Sequence, residues 1–218
     1  MHTKTRKYIE KRKYEILLLS LLLLMFGVRP SFINPFLPIQ VMITGAIIFY
    51  SRKFLWYLIA GLLTVTIALF IASDIFHFKA INNRSLLGIT FIIYFVIITV
   101  EVFRRILIVE KISPEIISAV LCGFIMLCFI GCFLFDFIET YTPGSFSGLG
   151  ESKRKLNTLL YFSVSNLLTL GFGDILPISF FAKKSVMFLG LVGHFYTVFV
   201  TAIIIGKYIN QGKKIYKE

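Results

Sequence analysis

The feature that most constrains this chain is a run of 25 residues, 114–138, in which apolar side chains are interrupted almost only by small residues. About 20 apolar residues in a helix cross the hydrocarbon of a bilayer. Five further apolar stretches share the chain with it, at 16–28, 36–50, 54–76, 85–103 and 181–209. The chain is 57% hydrophobic and only 16% charged, with a mean hydropathy of +0.86. A soluble domain of similar size is nearer 45–50% apolar and about 25% charged. One water-soluble core cannot absorb that excess, so lipid is the expected solvent for much of the surface. The stretches at 16–28 and 36–50 are short for a span and need tilt or flanking residues to cross.

The 23 basic residues give a net charge of +12, and their placement decides what that charge means. They sit between apolar stretches rather than along one face, which argues against nucleic-acid binding and for orientation of membrane spans against anionic headgroups. With both termini inside, the cytoplasmic pieces carry 15 Lys and Arg and the external pieces 8. That bias predicts a cytoplasmic N-terminus over residues 1–13, an even number of spans with six as the natural count, and a short cytoplasmic tail at 210–218. A basic start followed by a short apolar run also resembles a signal peptide, but Phe26-Gly27-Val28-Arg29-Pro30 lacks a small-residue cleavage site, so a retained first span is expected. The nine residues after 209 are too few for a calcium- or nucleotide-binding domain.

Between the fifth and sixth stretches the pattern changes. A polar turn, Tyr141-Thr142-Pro143-Gly144-Ser145, precedes an amphipathic run at 156–170 that is too short to cross a bilayer. Glycines at 171 and 173 and a proline at 177 follow. A short helix and irregular backbone at membrane depth are tolerated only when they line a cavity or are buried in protein, so a re-entrant loop is expected. Gly171 and Gly173 stand at alternate positions. Two residues apart they cannot share a helix face, which sets aside close helix packing as their purpose. Glycine adopts the left-handed region without a Cβ penalty, so this spacing suits a backbone that alternates handedness and aims its carbonyls at one axis. The helix before it would end with its partially negative terminus toward the centre, favouring a cation.

Tyr161-Phe162-Ser163, then Thr169-Leu170-Gly171-Phe172-Gly173-Asp174 with Pro177 after it, resembles the pore helix and selectivity filter of potassium channels. Their usual filter reads Thr-Val-Gly-Tyr-Gly-Asp. Phe172 matches the variant of ether-à-go-go type channels, Leu170 takes the place of valine, and Leu168 replaces a second threonine. The run Gly190-Leu191-Val192-Gly193-His194-Phe195-Tyr196 resembles bacterial members of the two-helix pore family. The resemblance implies an all-α integral membrane fold of six transmembrane helices, with a re-entrant pore helix and filter between helices 5 and 6, assembling as a homotetramer. Residues 14–110 would form a peripheral four-helix bundle and 111–209 the pore domain. The filter residues Thr169, Leu170, Gly171, Phe172, Gly173 and Asp174 would bind permeating potassium ions, with no other metal or cofactor. Asp174 would be held by a pore-helix side chain, with Ser165 and Tyr161 as candidates. Potassium ions and membrane lipids are the partners expected, and nucleic acid is not.

Other residues carry two readings each. Gly193, 20 residues after Gly173, is either a gating hinge or, together with Gly190, a position that allows close packing against the fifth span. His194 is either a pore-lining pH-sensitive group or a neutral histidine bonded between helices. Asp136 and Glu139 either draw cations to the mouth or form a solvated rim. Glu101 is expected to pair with Arg104 or Arg105, and His77 to lie at a membrane interface. A voltage sensor would place a basic residue at every third position of the fourth span; 85–103 has none, so strong voltage gating is not expected. Cys122, Cys128 and Cys132 share one apolar stretch without further ligands and read as small packing residues. No nucleophile–base or histidine–carboxylate cluster suggests an enzyme. The rival functional classes are a non-selective monovalent cation channel and a membrane transporter or scaffold.

Overall fold

A computed structural model describes residues 2–26, 36–50, 52–75, 81–109, 112–150 and 155–215. His77 and the 27–30 segment after the first apolar run lie outside the described residues. Among the described residues seven helices dominate: α1 (His2–Phe26), α2 (Phe36–Ile48), α3 (Lys53–Ile75), α4 (Ile81–Ile108), α5 (Pro114–Tyr141), α6 (Lys155–Leu167) and α7 (Phe180–Ile215), with two short strands, β1 (Phe146–Ser147) and β2 (Leu176–Pro177). Three helices among the described residues are long and apolar enough to cross a membrane: Leu86–Ile108, Pro114–Tyr141 and Phe180–Gln211. The chain is thus mostly helical and has the composition of a membrane protein.

The ends differ from the sequence reading. The basic segment expected as a separate tail is helical from His2 and continuous with the apolar run of α1. The final helix likewise continues to Ile215, so most of the segment expected as a tail belongs to α7. Helix α4 also extends past 103, and Arg104 and Arg105 lie within its last turns.

Helix α5 is the axis of the fold, and α1, α4, α6 and α7 all pack on it. Pro114 at its first turn needs no N–H partner there and has the helical φ already set; Ser113 before it is extended. Against α4 it is seated by aromatic rings: Phe95 stacks on Phe129 at 5.3 Å and 10°, and Phe91 on Phe133 at 5.1 Å and 23°. On α1, Tyr14, Leu17, Leu21 and Leu24 follow a three–four–three spacing on one buried face, the pattern of a helix stripe.

Two tyrosines solve the same problem in the same way. Tyr94 donates its hydroxyl to the Val41 carbonyl at 2.8 Å, and its oxygen occupies the place a side chain on Gly45 would fill. Tyr196 donates to the Val120 carbonyl at 2.8 Å and sits in the same manner on Gly123. A buried hydroxyl needs a partner, and a helix glycine opens the path to a carbonyl on the preceding turn. Glu101 pairs with Arg52 at 2.6 Å, not with Arg104 or Arg105. It is buried on the face of α4 turned into the bundle, so its cation comes from the α2–α3 turn rather than from the next turn of its own helix.

Candidate ion-conduction site

The seat for α6 is a face of small residues on α5. Cys128, Gly131 and Cys132 stand at i, i+3 and i+4, and all are buried. Ser163 donates its hydroxyl to the Cys128 carbonyl at 2.8 Å, and the Cys132 thiol donates to the Leu156 carbonyl at 3.4 Å. A Cβ on Gly131 would lie 2.3 Å from both Ser163 Oγ and Leu189 Cδ2, so three helices meet on this glycine. The cysteines are packing residues, as their sequence context suggests. Gly131 completes their face, and the i, i+3, i+4 spacing of small residues was the signal that would have found it.

Phe162 of α6 anchors the other side. Its ring lies 5.3 Å from Phe135 and 5.7 Å from Phe146, which themselves are 5.3 Å apart. Glu139 holds the loop that carries Phe146. Its carboxylate accepts the N–H of Gly144 at 3.0 Å and of Phe146 at 3.1 Å, with Lys155 Nζ at 3.6 Å. Glu139 and Asp136 are both buried, so neither is the open, solvated rim considered from the sequence. In Glu139 the charge is used to fold a loop.

The end of α6 makes the transition into 168–174. The Leu170 N–H bonds to the Ser165 carbonyl at 2.8 Å and the Thr169 N–H to the Asn166 carbonyl at 3.1 Å. This crossed pair is a Schellman cap, which requires a left-handed residue just past the helix. Thr169 occupies that position with φ of +55°. A β-branched residue there is rare and strained. The strain falls on the first residue of the candidate filter.

Gly171 at φ +62° and Gly173 at φ +78° continue the pattern, while Leu170 and Phe172 do not share it. Left-handed backbone thus recurs at 169, 171 and 173, the alternation expected from the glycine spacing, with Thr169 as a third member that composition did not reveal. A Cβ on either glycine would meet nothing within 4 Å, so the need for glycine at both is conformational, not steric. The side chains of Leu168, Leu170 and Phe172 are 48%, 52% and 63% exposed, an apolar surface left open on the single chain.

Behind this segment, Phe172 stacks on Tyr161 at 6.1 Å and 6°. The Tyr161 hydroxyl faces Asp174, and hydrogen bonding to that carboxylate holds the phenol pKa above its ordinary value, with smaller contributions from burial and from the carboxylate charge. Of the two candidates for holding Asp174, the structure therefore favours Tyr161; Ser165 is turned back to the Phe162 carbonyl at 3.1 Å. After Asp174 the chain is clamped by β1 and β2, which pair antiparallel with Phe146 opposite Pro177 and Ser147 opposite Leu176. The Ser145 carbonyl accepts the Ile178 N–H at 2.7 Å. Gly148, at φ +80°, lies so close to the Asp174 carbonyl that a Cβ would be 2.1 Å from it. The polar turn seen in sequence is a brace for the far end of the 168–174 segment.

On the other side of the segment a cavity of about 330 Å³ lies between α5, the end of α6 and α7, lined in part by Phe124, Leu167, Thr169, His194, Thr197 and Thr201. His194 is exposed on α7 of the single chain and lines this cavity. Gly193 is buried against Leu167: a Cβ there would lie 2.1 Å from Leu167 Cδ2. Gly193 thus packs, but on α6 rather than on the fifth span that the sequence suggested, and Gly190 likewise lies nearest Asn166 of α6; α7 runs through both as unbroken helix. Comparison with family models, curated proteins and solved structures finds no match to this chain.

Proposed function

We propose that this chain is one subunit of a tetrameric, potassium-selective channel of the cell membrane. The single observation that carries the reading is the left-handed backbone at Thr169, Gly171 and Gly173, directly after a short helix packed between two apolar helices. A filter that replaces the hydration shell of an ion needs backbone carbonyls ringed about an axis, and one chain supplies one strand of such a ring. In this reading α5, α6, the 168–174 segment and α7 form the pore, α1–α4 complete six spans around it, both termini are cytoplasmic, and the filter opens outward. Potassium occupies the ring of residues 169–174, and His194 and Thr169 face the water-filled cavity beneath it.

The fourfold assembly draws support from what α7 leaves open. Only 22% of its apolar window is buried, against 61% for α5. Met187, Phe188, Leu191, Phe195 and Phe199 are all exposed, continuous in kind with the exposed Leu168, Leu170 and Phe172. Lipid can cover a helix face, but it cannot cover the polar backbone of 169–174; copies of the same segment can.

Potassium efflux from liposomes tests the proposal. A left-handed non-glycine residue costs about 1–2 kcal/mol, so Gly171→Ala or Gly173→Ala in all four subunits burdens the ring by about 4–8 kcal/mol. Either variant should abolish flux while the protein still inserts. Unchanged flux in both would remove the filter assignment. Bi-ionic reversal potentials separate potassium selectivity from a non-selective cation pore, and absence of unitary currents would favour a transporter or scaffold.

A further inference from the structure

The last carbonyls of a helix lack intrahelical donors, and those of α4 find theirs on a distant helix. The ammonium of Lys207, on α7, donates to the carbonyls of Ile106 at 2.6 Å, Leu107 at 2.7 Å and Val109 at 2.5 Å. A lysine has three N–H donors, so this contact fills its capacity. A cation at the C-terminal end of a helix is favourable in itself. One turn further along α7, the side-chain oxygen of Gln211 accepts the Ile112 N–H at 3.0 Å. Residues 207 and 211 share a helix face and hold the chain at Val109 and Ile112, on either side of residues 110–111. The face continues the side of α7 turned toward the protein, where Tyr196 and Val200 are buried. The neighbours Ile205, Gly206, Tyr208, Ile209 and Asn210 are exposed.

We propose that Lys207 and Gln211 are a latch that fixes the inner end of α7 to the α4–α5 connection, so that a displacement of the peripheral helices is transmitted to the helix lining the pore. The attachment stands on the contacts alone; its effect on conduction rests on the channel reading. Three charge-assisted bonds in a partly buried setting are strong relative to neutral ones, and the apolar contacts of α7 in this region slide more readily than a carbonyl cup does. The latch therefore fixes register as well as proximity. It needs no charge ladder in α4: any stimulus that moves the end of that helix has a mechanical path to α7.

The test uses the full chain reconstituted in liposomes, as Lys207→Met, Lys207→Arg and Gln211→Ala beside the parent protein. Hydrogen exchange read by mass spectrometry over residues 105–113 reports the attachment without reference to transport. Lys207→Met and Gln211→Ala should accelerate exchange there about tenfold, and Lys207→Arg should keep most of the protection. Potassium flux should change about tenfold in Lys207→Met, in the range of coupling between distant sites, with the reversal potential unchanged. Unaltered exchange in both Lys207→Met and Gln211→Ala would overturn the latch. Faster exchange with unaltered flux would overturn the coupling and leave a structural cap. Faster exchange in a protein whose parent form shows no flux would overturn the channel reading while supporting the attachment.

Discussion

At Gly193 the hinge and packing roles predict opposite signs for one substitution. A glycine in an open helix interior gains about 1 kcal/mol on replacement by alanine. At Gly193 the new methyl would lie 2.1 Å from Leu167 Cδ2 and 3.4 Å from its Cγ. Leu167 is itself only 5% exposed, so its branch has little space to turn into. Forcing a methyl into a filled contact costs about 1–3 kcal/mol. The net expectation for Gly193→Ala is a loss of roughly 1 kcal/mol, or about 2–4 °C in thermal midpoint for a chain of this size. Gly88 in α4 has nothing within 4 Å of an added Cβ and serves as the control, where alanine should raise the midpoint by a similar amount. Leu167→Ala alone should cost about 2–5 kcal/mol. In that background the space is free, so Gly193→Ala should turn from harmful to favourable, a coupling of about 2 kcal/mol. The measurement is a double-mutant cycle by thermal unfolding of the purified protein in detergent. A rise in midpoint for Gly193→Ala in the parent background, or the same shift in both backgrounds, would refute the packing argument and return the residue to a bending role.

Three further outcomes follow from the same geometry. Tyr161→Phe keeps the ring against Phe172 and removes the hydroxyl facing Asp174; since the phenol pKa is raised in the folded protein, its contribution is present below the ordinary value near 10 and lost as pH rises through the raised one. Potassium flux in the parent should therefore fall on strong alkalinisation, and the Tyr161→Phe variant should have lower flux at neutral pH and a flatter alkaline limb; identical profiles would exclude the contact. Glu139→Ala leaves the N–H groups of Gly144 and Phe146 without their carboxylate, each at about 1–3 kcal/mol, and should expose the 142–150 loop to protease, whereas Glu139→Gln should retain part of the protection. Arg52→Met strands the buried Glu101 carboxylate and should cost more stability than the double change Arg52→Met/Glu101→Met, as read by thermal midpoint; a double variant less stable than the single would contradict the pairing.

The sequence announced those features whose physics is local. A 25-residue apolar run with a proline at its start reads as α5 without help. Glycines two apart announce alternating backbone handedness, because few other residues accept it. What escaped notice depends on partners far along the chain. Glu139 looks like a mouth carboxylate until the loop at Gly144–Phe146 folds back onto it. Glu101 has basic neighbours at i+3 and i+4, yet burial on the inner face of α4 hands it to Arg52. Lys207 reads as an orienting charge at the end of a span, and nothing in its own segment says that three carbonyls at and just past the end of α4 await it.

Thr169 shows where the two kinds of information meet. In the proposed filter it is the residue that would place a hydroxyl at the inner mouth, and in the fold it is the left-handed cap of α6. A cap of this type is ordinarily glycine, and threonine there carries a strain that a structural role alone gives no reason to keep. Glycine would relieve the strain and forfeit the hydroxyl, which here donates to the Leu168 carbonyl at 2.7 Å. Strain retained at a position where a simpler residue would serve the fold is what a functional constraint produces. The same reasoning separates 169 from 171 and 173, where glycine already satisfies the backbone and no side chain is asked for. If the hydroxyl is what selection holds, Thr169→Gly should leave the thermal midpoint equal or higher while lowering potassium flux. Lower stability with unchanged flux would place the threonine in the fold rather than in the pore.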